Sequence, residues 1–301
     1  VLTRRLDGYE TMLQPVFAAH EIPVFNDNDR PMKTHPLVTL VLGLFQVLWG
    51  HFQLTDLMQV LKTGLLLPAV EVAGQPLTAE QFKADLYLTE NWALKYGKSG
   101  ASWLSTKPFE YTPHLEMTPA MEQTALGQAE LQKRAQLNRV KHYVKTELAP
   151  FLAQWRQAKN GRQAAQLLFE FLHHQGVEKQ LVAWEQAAVE AGELALGQEP
   201  QQVWQLFCQL LDEYVLALGD QTPFNLTDFR DLLLVGFQTA TYSQIPSTID
   251  QVLVSESGIT QTERRQVVFI IGATDDVMPT VQLEPGLLTP AERQRLAQGL
   301  R

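Results

Sequence analysis

Two stretches of sheet-forming sequence stand near opposite ends of this chain with a long helical region between them, and that separation limits the folds open to it. The later stretch is the sharper one. Val267-Val268-Phe269-Ile270-Ile271 is a continuous β-branched and aromatic run without alternation, the pattern expected of a strand covered on both faces in a parallel sheet. Gly272 stops the run, and Pro279 closes the turn that carries Asp275 and Asp276. Ligands of open α/β sheets bind just past such strand ends. Ahead of it, Gln251-Val252-Leu253-Val254 reads as another strand. At the amino end, Val1 to Thr3 reads as the end of a strand, Asp7-Gly8-Tyr9 opens a helix through Met12, Leu13, Val16 and Phe17, and Ile22-Pro23-Val24-Phe25 follows as a second strand. That β-α-β order is the unit of a parallel sheet. The expectation is one α/β domain with a large all-helical insertion: residues 1–30 begin the domain, 31–240 are helical, and 241–301 return to it.

Within the insertion, apolar residues recur at helical spacing. Pro36 to Gly50, Leu54 to Leu66 and Ala79 to Tyr96 read as three helices, and Met121 to Gln157 as one long helix with a stripe of Leu131, Ala135, Val140, Val144, Leu148 and Leu152. Arg162 to Gln175, Glu178 to Gly192, Gln201 to Leu218 and Leu226 to Phe237 supply four more, with Asn160-Gly161, Gly176, Gly197 and Gly219 as stops. The chain is predicted to be predominantly helical.

Charge and cysteine usage narrow the functional classes. A formal charge of −9 over 301 residues argues against a protein that coats nucleic acid non-specifically, although a local basic stripe can still meet phosphates. Cys208 is the single cysteine, which rules out an intrachain disulfide and favours a reducing, cytoplasmic setting. Its place in an apolar helical pattern predicts a buried small residue rather than a nucleophile. The longest apolar run, Leu37 to Trp49, is too short and interrupted for a membrane span. No initiator Met opens the sequence, which leads us to expect a piece of a longer protein.

Leu131 to Thr146 contains no acidic residue and carries Lys133, Arg134, Arg139, Lys141 and Lys145. Arg134, Lys141 and Lys145 are candidate DNA contacts; the competing reading is a charged helix face kept in water. Gly97-Lys98-Ser99 has the ending of a phosphate-binding loop, but Trp92 stands where the loop needs its first glycine, so an ordinary loop is expected. His142, His173 and His174 lack partners at metal-ligand spacing. Asn26-Asp27-Asn28-Asp29 lacks the glycine and closing glutamate of a calcium loop and reads as a solvated turn. No catalytic or metal-binding set emerges from the residues.

VLTRRLDGYETML with IPVFND, then HPL and LKTGLL, then IPSTIDQVLV, VVFIIGATDDVMP and GLLTPAERQRL, resemble the RexB/AddB family, the B subunit of bacterial ATP-dependent helicase–deoxyribonucleases. The segments keep the family's order along essentially the whole chain. They are also similar to the second motor-domain region of UvrD/Rep helicases, a RecA-like α/β domain, truncated here and interrupted by a helical insertion. The resemblance implies a subunit that resects double-strand breaks with an A-subunit partner of RexA/AddA type, on DNA, with ATP used by the complex. It implies an iron–sulfur cluster and Mg2+ in the parent protein but no cofactor in this stretch, since one cysteine cannot hold the cluster. Arg4 matches the arginine that active motors place near ATP phosphates; the second arginine of that motif is Glu10 here, and the segment TxHxxKGLEF has no counterpart. The chain also stops at Arg301 before the arginine-finger motif. A degenerate, DNA- and partner-binding motor body follows, with an active ATPase half or a pure protein scaffold as the alternatives.

Overall fold

A computed structural model describes residues 1–6, 8–27, 30–112, 117–220, 224–242, 250–257, 266–274 and 277–278. In chain order its elements are β1 (Leu2–Thr3), α1 (Glu10–Ala19), β2 (Val24–Asp27), α2 (Pro36–Trp49), α3 (Leu54–Leu61), the hairpin β3 (Glu71–Val72) and β4 (Gln75–Pro76), and α4 (Ala79–Lys95). A one-turn α5 (Pro119–Glu122) precedes α6 (Ala125–Tyr143), which passes through a π turn, Val144–Leu148, into α7 (Ala149–Arg156). Then come α8 (Gly161–His174), α9 (Val177–Glu190), the short α10 (Leu194–Gly197), α11 (Glu199–Leu218), α12 (Leu226–Thr239) and β5 (Val252–Glu256). The chain divides into two compact units: Val1–Asp29 with Gln244–Arg301, and Arg30–Ser243.

Helix starts follow capping chemistry. Pro36 sits in the first turn of α2, where its missing N–H costs nothing, and the His35 side chain accepts from Leu37 N–H. Thr78 and Gln81 form a reciprocal capping box at α4. Thr124 caps α6, and that cap breaks the single helix expected from Met121: Met121 belongs to α5 and the long helix starts at Ala125. Likewise α3 ends at Leu61 rather than Leu66, with Thr63 Oγ1 donating to the Val60 carbonyl beyond it.

The helical unit is organised around α2, whose residues Leu37, Val38, Leu40, Val41, Leu44, Phe45, Val47 and Leu48 are all buried. A helix apolar on nearly every side must be wrapped by others, and α3, α7 and α12 pack on it. Aromatic rings bind this centre together: Phe45 lies 4.5 Å from Trp155, and Tyr214 4.5 Å from Phe229, centroid to centroid. Gly43 allows α3 to approach, since a Cβ there would stand 2.6 Å from Val60 Cγ2.

In the other unit the sheet is parallel, in the order β1-β5-β2. The later strand therefore joins the sheet begun at the amino end, but it does so between β1 and β2, which are not neighbours. Val254 and Ser255 of β5 are buried, as are Thr3 and Leu6. Val267 to Ile271 departs from expectation. Leu2 N–H donates to the Phe269 carbonyl at 2.8 Å and Ile271 N–H to the Leu2 carbonyl at 2.9 Å, so the run does pair parallel to β1, through a single bridge at Ile270. It is not covered on both faces: Val267 and Phe269 are 69% and 65% exposed, and Val268 and Ile270 are also open. The run lies beside the outermost paired strand, and the described residues supply no layer to cover it. Met12 and Val16 of α1 are also exposed. The motifs from Ile245 to Ile249 and from Pro279 to Arg301, with Asp275, Asp276, Asn28 and Asp29, lie outside the described residues.

Candidate nucleic-acid interface

Arg134, Asn138, Lys141 and Lys145 follow one another at steps of four, three and four, which places them along one side of α6 and the π turn. The middle of that side is not open to solvent. Asn138 holds the loop before α5 through both its amide groups: Phe109 N–H donates to its Oδ1 at 2.8 Å, and its Nδ2 donates to the Phe109 carbonyl at 2.7 Å. Glu130 accepts from Thr112 N–H and Oγ1 at 2.6 and 2.9 Å. Lys141 completes the clamp, its ammonium donating to Ser105 Oγ at 2.8 Å and to the Lys107 carbonyl, and lying 4.1 Å from the centre of the Phe109 ring.

Two further members of the basic stretch are also occupied. Arg139 Nε donates at 2.6 Å to Asp85, a fully buried carboxylate that also accepts from Gln136 at 2.9 Å. Lys133 sits 4.5 Å over the Tyr111 ring. Of the three residues singled out from sequence, Lys141 is therefore 5% exposed and built into the fold. Arg134 and Lys145 are half-buried at either end of the stripe, and among the described residues neither is ion-paired.

Next to the clamp is a cleft of about 360 Å³ lined by Trp92, Lys98, Ser102, Ser105, Lys107 and Phe109, with Pro108 and Glu110, a volume within the range of ligand sites. Lys98 and Lys107 are the functional candidates that sequence reasoning missed. Lys98 belongs to the phosphate-loop look-alike, where neighbouring Ser99 serves structure: its Oγ accepts from Leu54 N–H at 2.9 Å and donates to Gln53 at 2.8 Å, capping α3. Burial, with repulsion from Lys145 and Lys98, holds the Lys141 ammonium below its usual range. The two loop lysines thus come together with Lys141 of α6 only in three dimensions.

Elsewhere, Arg4 stands exposed just after β1. Cys208 is half-buried against the core, and burial, then Asp212 and Glu178, push its thiol up, away from thiolate chemistry. Among the described residues, no cluster of three metal-ligating side chains occurs, and no helix is long and apolar enough to cross a membrane. His173 is stacked on Phe169 and lies 3.6 Å from Glu178.

No family model matches the sequence. Curated relatives match it throughout. A protein of Limosilactobacillus fermentum, named as the B subunit of an ATP-dependent helicase/deoxyribonuclease, is 47% identical over 311 aligned residues, covering 100% of this chain and 24% of that protein. Proteins of the same name from Limosilactobacillus reuteri and Lactiplantibacillus plantarum are 44% and 43% identical, covering 99% and 98% of this chain and 24% of each. The chain belongs to the RexB/AddB family. It spans about a quarter of the length of the curated RexB/AddB relatives it matches. Its basic cleft is thus a feature of one section of a RexB/AddB-type subunit.

Proposed function

We propose that this chain is part of a helicase-like body of a helicase/deoxyribonuclease B subunit, acting in the cytoplasm on double-strand breaks, and that it supports DNA and an A-subunit partner rather than carrying out chemistry. The match along the whole chain carries this reading. A parallel sheet closed by a strand that follows the helical region supports a RecA-like, UvrD/Rep-type second motor domain as its ancestry. Cys208 alone cannot ligate an iron–sulfur cluster, which takes several thiolates, so the cluster, Mg2+ and nuclease chemistry expected of the family do not enter the role assigned here. Arg4 is kept as a nucleotide-proximal residue, and Arg134 and Lys145 as the half-buried cations, without an ion pair among the described residues, at the two ends of the α6 and π-turn face.

The test is binding of a labelled duplex with a single-stranded tail, read by anisotropy across a salt series, with a purified A subunit added afterwards. Arg134→Glu with Lys145→Glu should weaken binding and flatten the salt dependence by about 0.9 in slope for each duplex phosphate that is no longer neutralised. An unchanged slope rejects this face as a DNA contact. The scaffold reading also has an observation behind it, since Lys133, Arg139 and Lys141 are engaged internally; it predicts partner binding with no DNA affinity.

A further inference from the structure

We propose that the cleft between α4 and the loop before α5 is a phosphate-binding site, in which Lys98 and Lys107 contact a backbone phosphate of bound DNA while the adjoining Lys141 supplies positive field. This rests on the DNA-binding reading above and adds a ligand group and a place for it.

Lys141 is the starting point. Lys141 as a residue is 5% exposed, and drawing a charge into the fold is costly unless an anion accompanies it; no carboxylate among the described residues pairs with its ammonium, which donates to neutral acceptors, a serine hydroxyl and a peptide carbonyl. A lysine ammonium has three donors, and these bonds use two. Clamping the loop would explain one lysine here. It does not explain Lys98, half-buried, and Lys107, exposed, on the walls of the same cleft, nor Lys145 close enough to repel Lys141. Two lysines line the cleft and a third, Lys141, donates to two residues of its wall, in a chain of charge −9, and Glu110, the one carboxylate on that wall among the described residues, is ion-paired with none of them. Such an assembly raises the energy of the empty site and lowers that of an anion bound in it. Rigidity is built in as well: the loop that carries Lys107 is fixed to α6 at Asn138, Glu130 and Lys141, so the cations need little reorganisation on binding.

A phosphate of DNA and a free polyphosphate share this chemistry, and two measurements separate them. First, pyrophosphate is titrated into the 301-residue chain and into Lys98→Gln/Lys107→Gln, by calorimetry, after circular dichroism and thermal melting have shown that both are equally folded. Second, both proteins are assayed with the labelled tailed duplex across the salt series. The expected result is pyrophosphate binding that falls at least tenfold in the variant, DNA affinity that falls with it, and a reduced salt slope. Pyrophosphate that fails to bind, or binds both proteins equally, overturns the site whatever the DNA does. Cleft-dependent pyrophosphate binding with unaltered DNA binding overturns the assignment to DNA and leaves a free-phosphate site. A chain that takes pyrophosphate in the cleft but binds no DNA rejects both this assignment and the DNA part of the proposed function. DNA binding that responds to Arg134→Glu/Lys145→Glu but not to Lys98→Gln/Lys107→Gln rejects the cleft alone.

Discussion

Protonation of His35 should destabilise the helical unit, and the size of the effect follows from where the ring sits. His35 is 8% exposed, caps α2 by accepting from Leu37 N–H at Nδ1 over 3.0 Å, and faces the Trp184 ring at 6.4 Å. Burial pushes its pKa down to about 4 from an ordinary 6.5, because the imidazolium would lose its hydration there. The folded protein therefore keeps His35 neutral at pH values where the unfolded chain already binds the proton. Stability from this residue is fully present above 6.5 and is lost as pH falls through that value towards about 4. The whole gap corresponds to about 3 kcal/mol, of which about 2 kcal/mol should be lost between roughly pH 7 and pH 5. The proton would also occupy the nitrogen that caps α2. Urea denaturation followed by circular dichroism at the two pH values, on the wild type and His35→Asn, isolates the effect: asparagine keeps a capping acceptor and does not titrate. The packing cost of the substitution enters at both pH values, and carboxylate titrations are common to both proteins. Wild type should lose about 2 kcal/mol more than the variant over this interval. Equal losses would refute the account of a buried, neutral, capping histidine.

Two further predictions concern packing and buried charge. Asp85→Ala should cost about 3–5 kcal/mol in chemical denaturation, since it strands the Arg139 guanidinium, 19% exposed, without its carboxylate; a loss below about 1 kcal/mol would show that the pair contributes little. Gly43→Ala should cost about 1–3 kcal/mol by driving a methyl group into Val60, a stiff β-branched side chain. The cost should shrink in a Val60→Ala background, and strict additivity of the two substitutions would reject the contact as its cause.

The legible part of this protein is what short-range pattern controls. Apolar residues at helical spacing, with glycine stops between them, placed α2, α4, α8, α9, α11 and α12 to within a few residues of their observed bounds, because periodicity and stop signals act within one or two turns. Where two local signals compete, pattern misleads: Thr124 is a stronger helix start than the continuous apolar stripe implies, and it divides the helix expected over 121–157. The basic stretch on α6 is visible as composition, and the steps between Arg134, Lys141 and Lys145 do put them on one side of the helix. Periodicity names a face but not what lies over it.

Those covering relations came from the tertiary structure. It buried Lys141 beneath the loop that carries Ser105 and Lys107, set Lys98 and Lys107 on the wall of one cleft, seated β5 between β1 and β2, and left Val267 to Ile270 exposed despite an apolar run suited to a covered strand. By itself the sequence determined helices, a returning parallel strand and family membership, all of which are written in local spacing or in residue identity along the chain. Strand order, lysine burial and the cleft depend on contacts between segments far apart in sequence, where the energy of a charge or an apolar side chain is set by its neighbours in space.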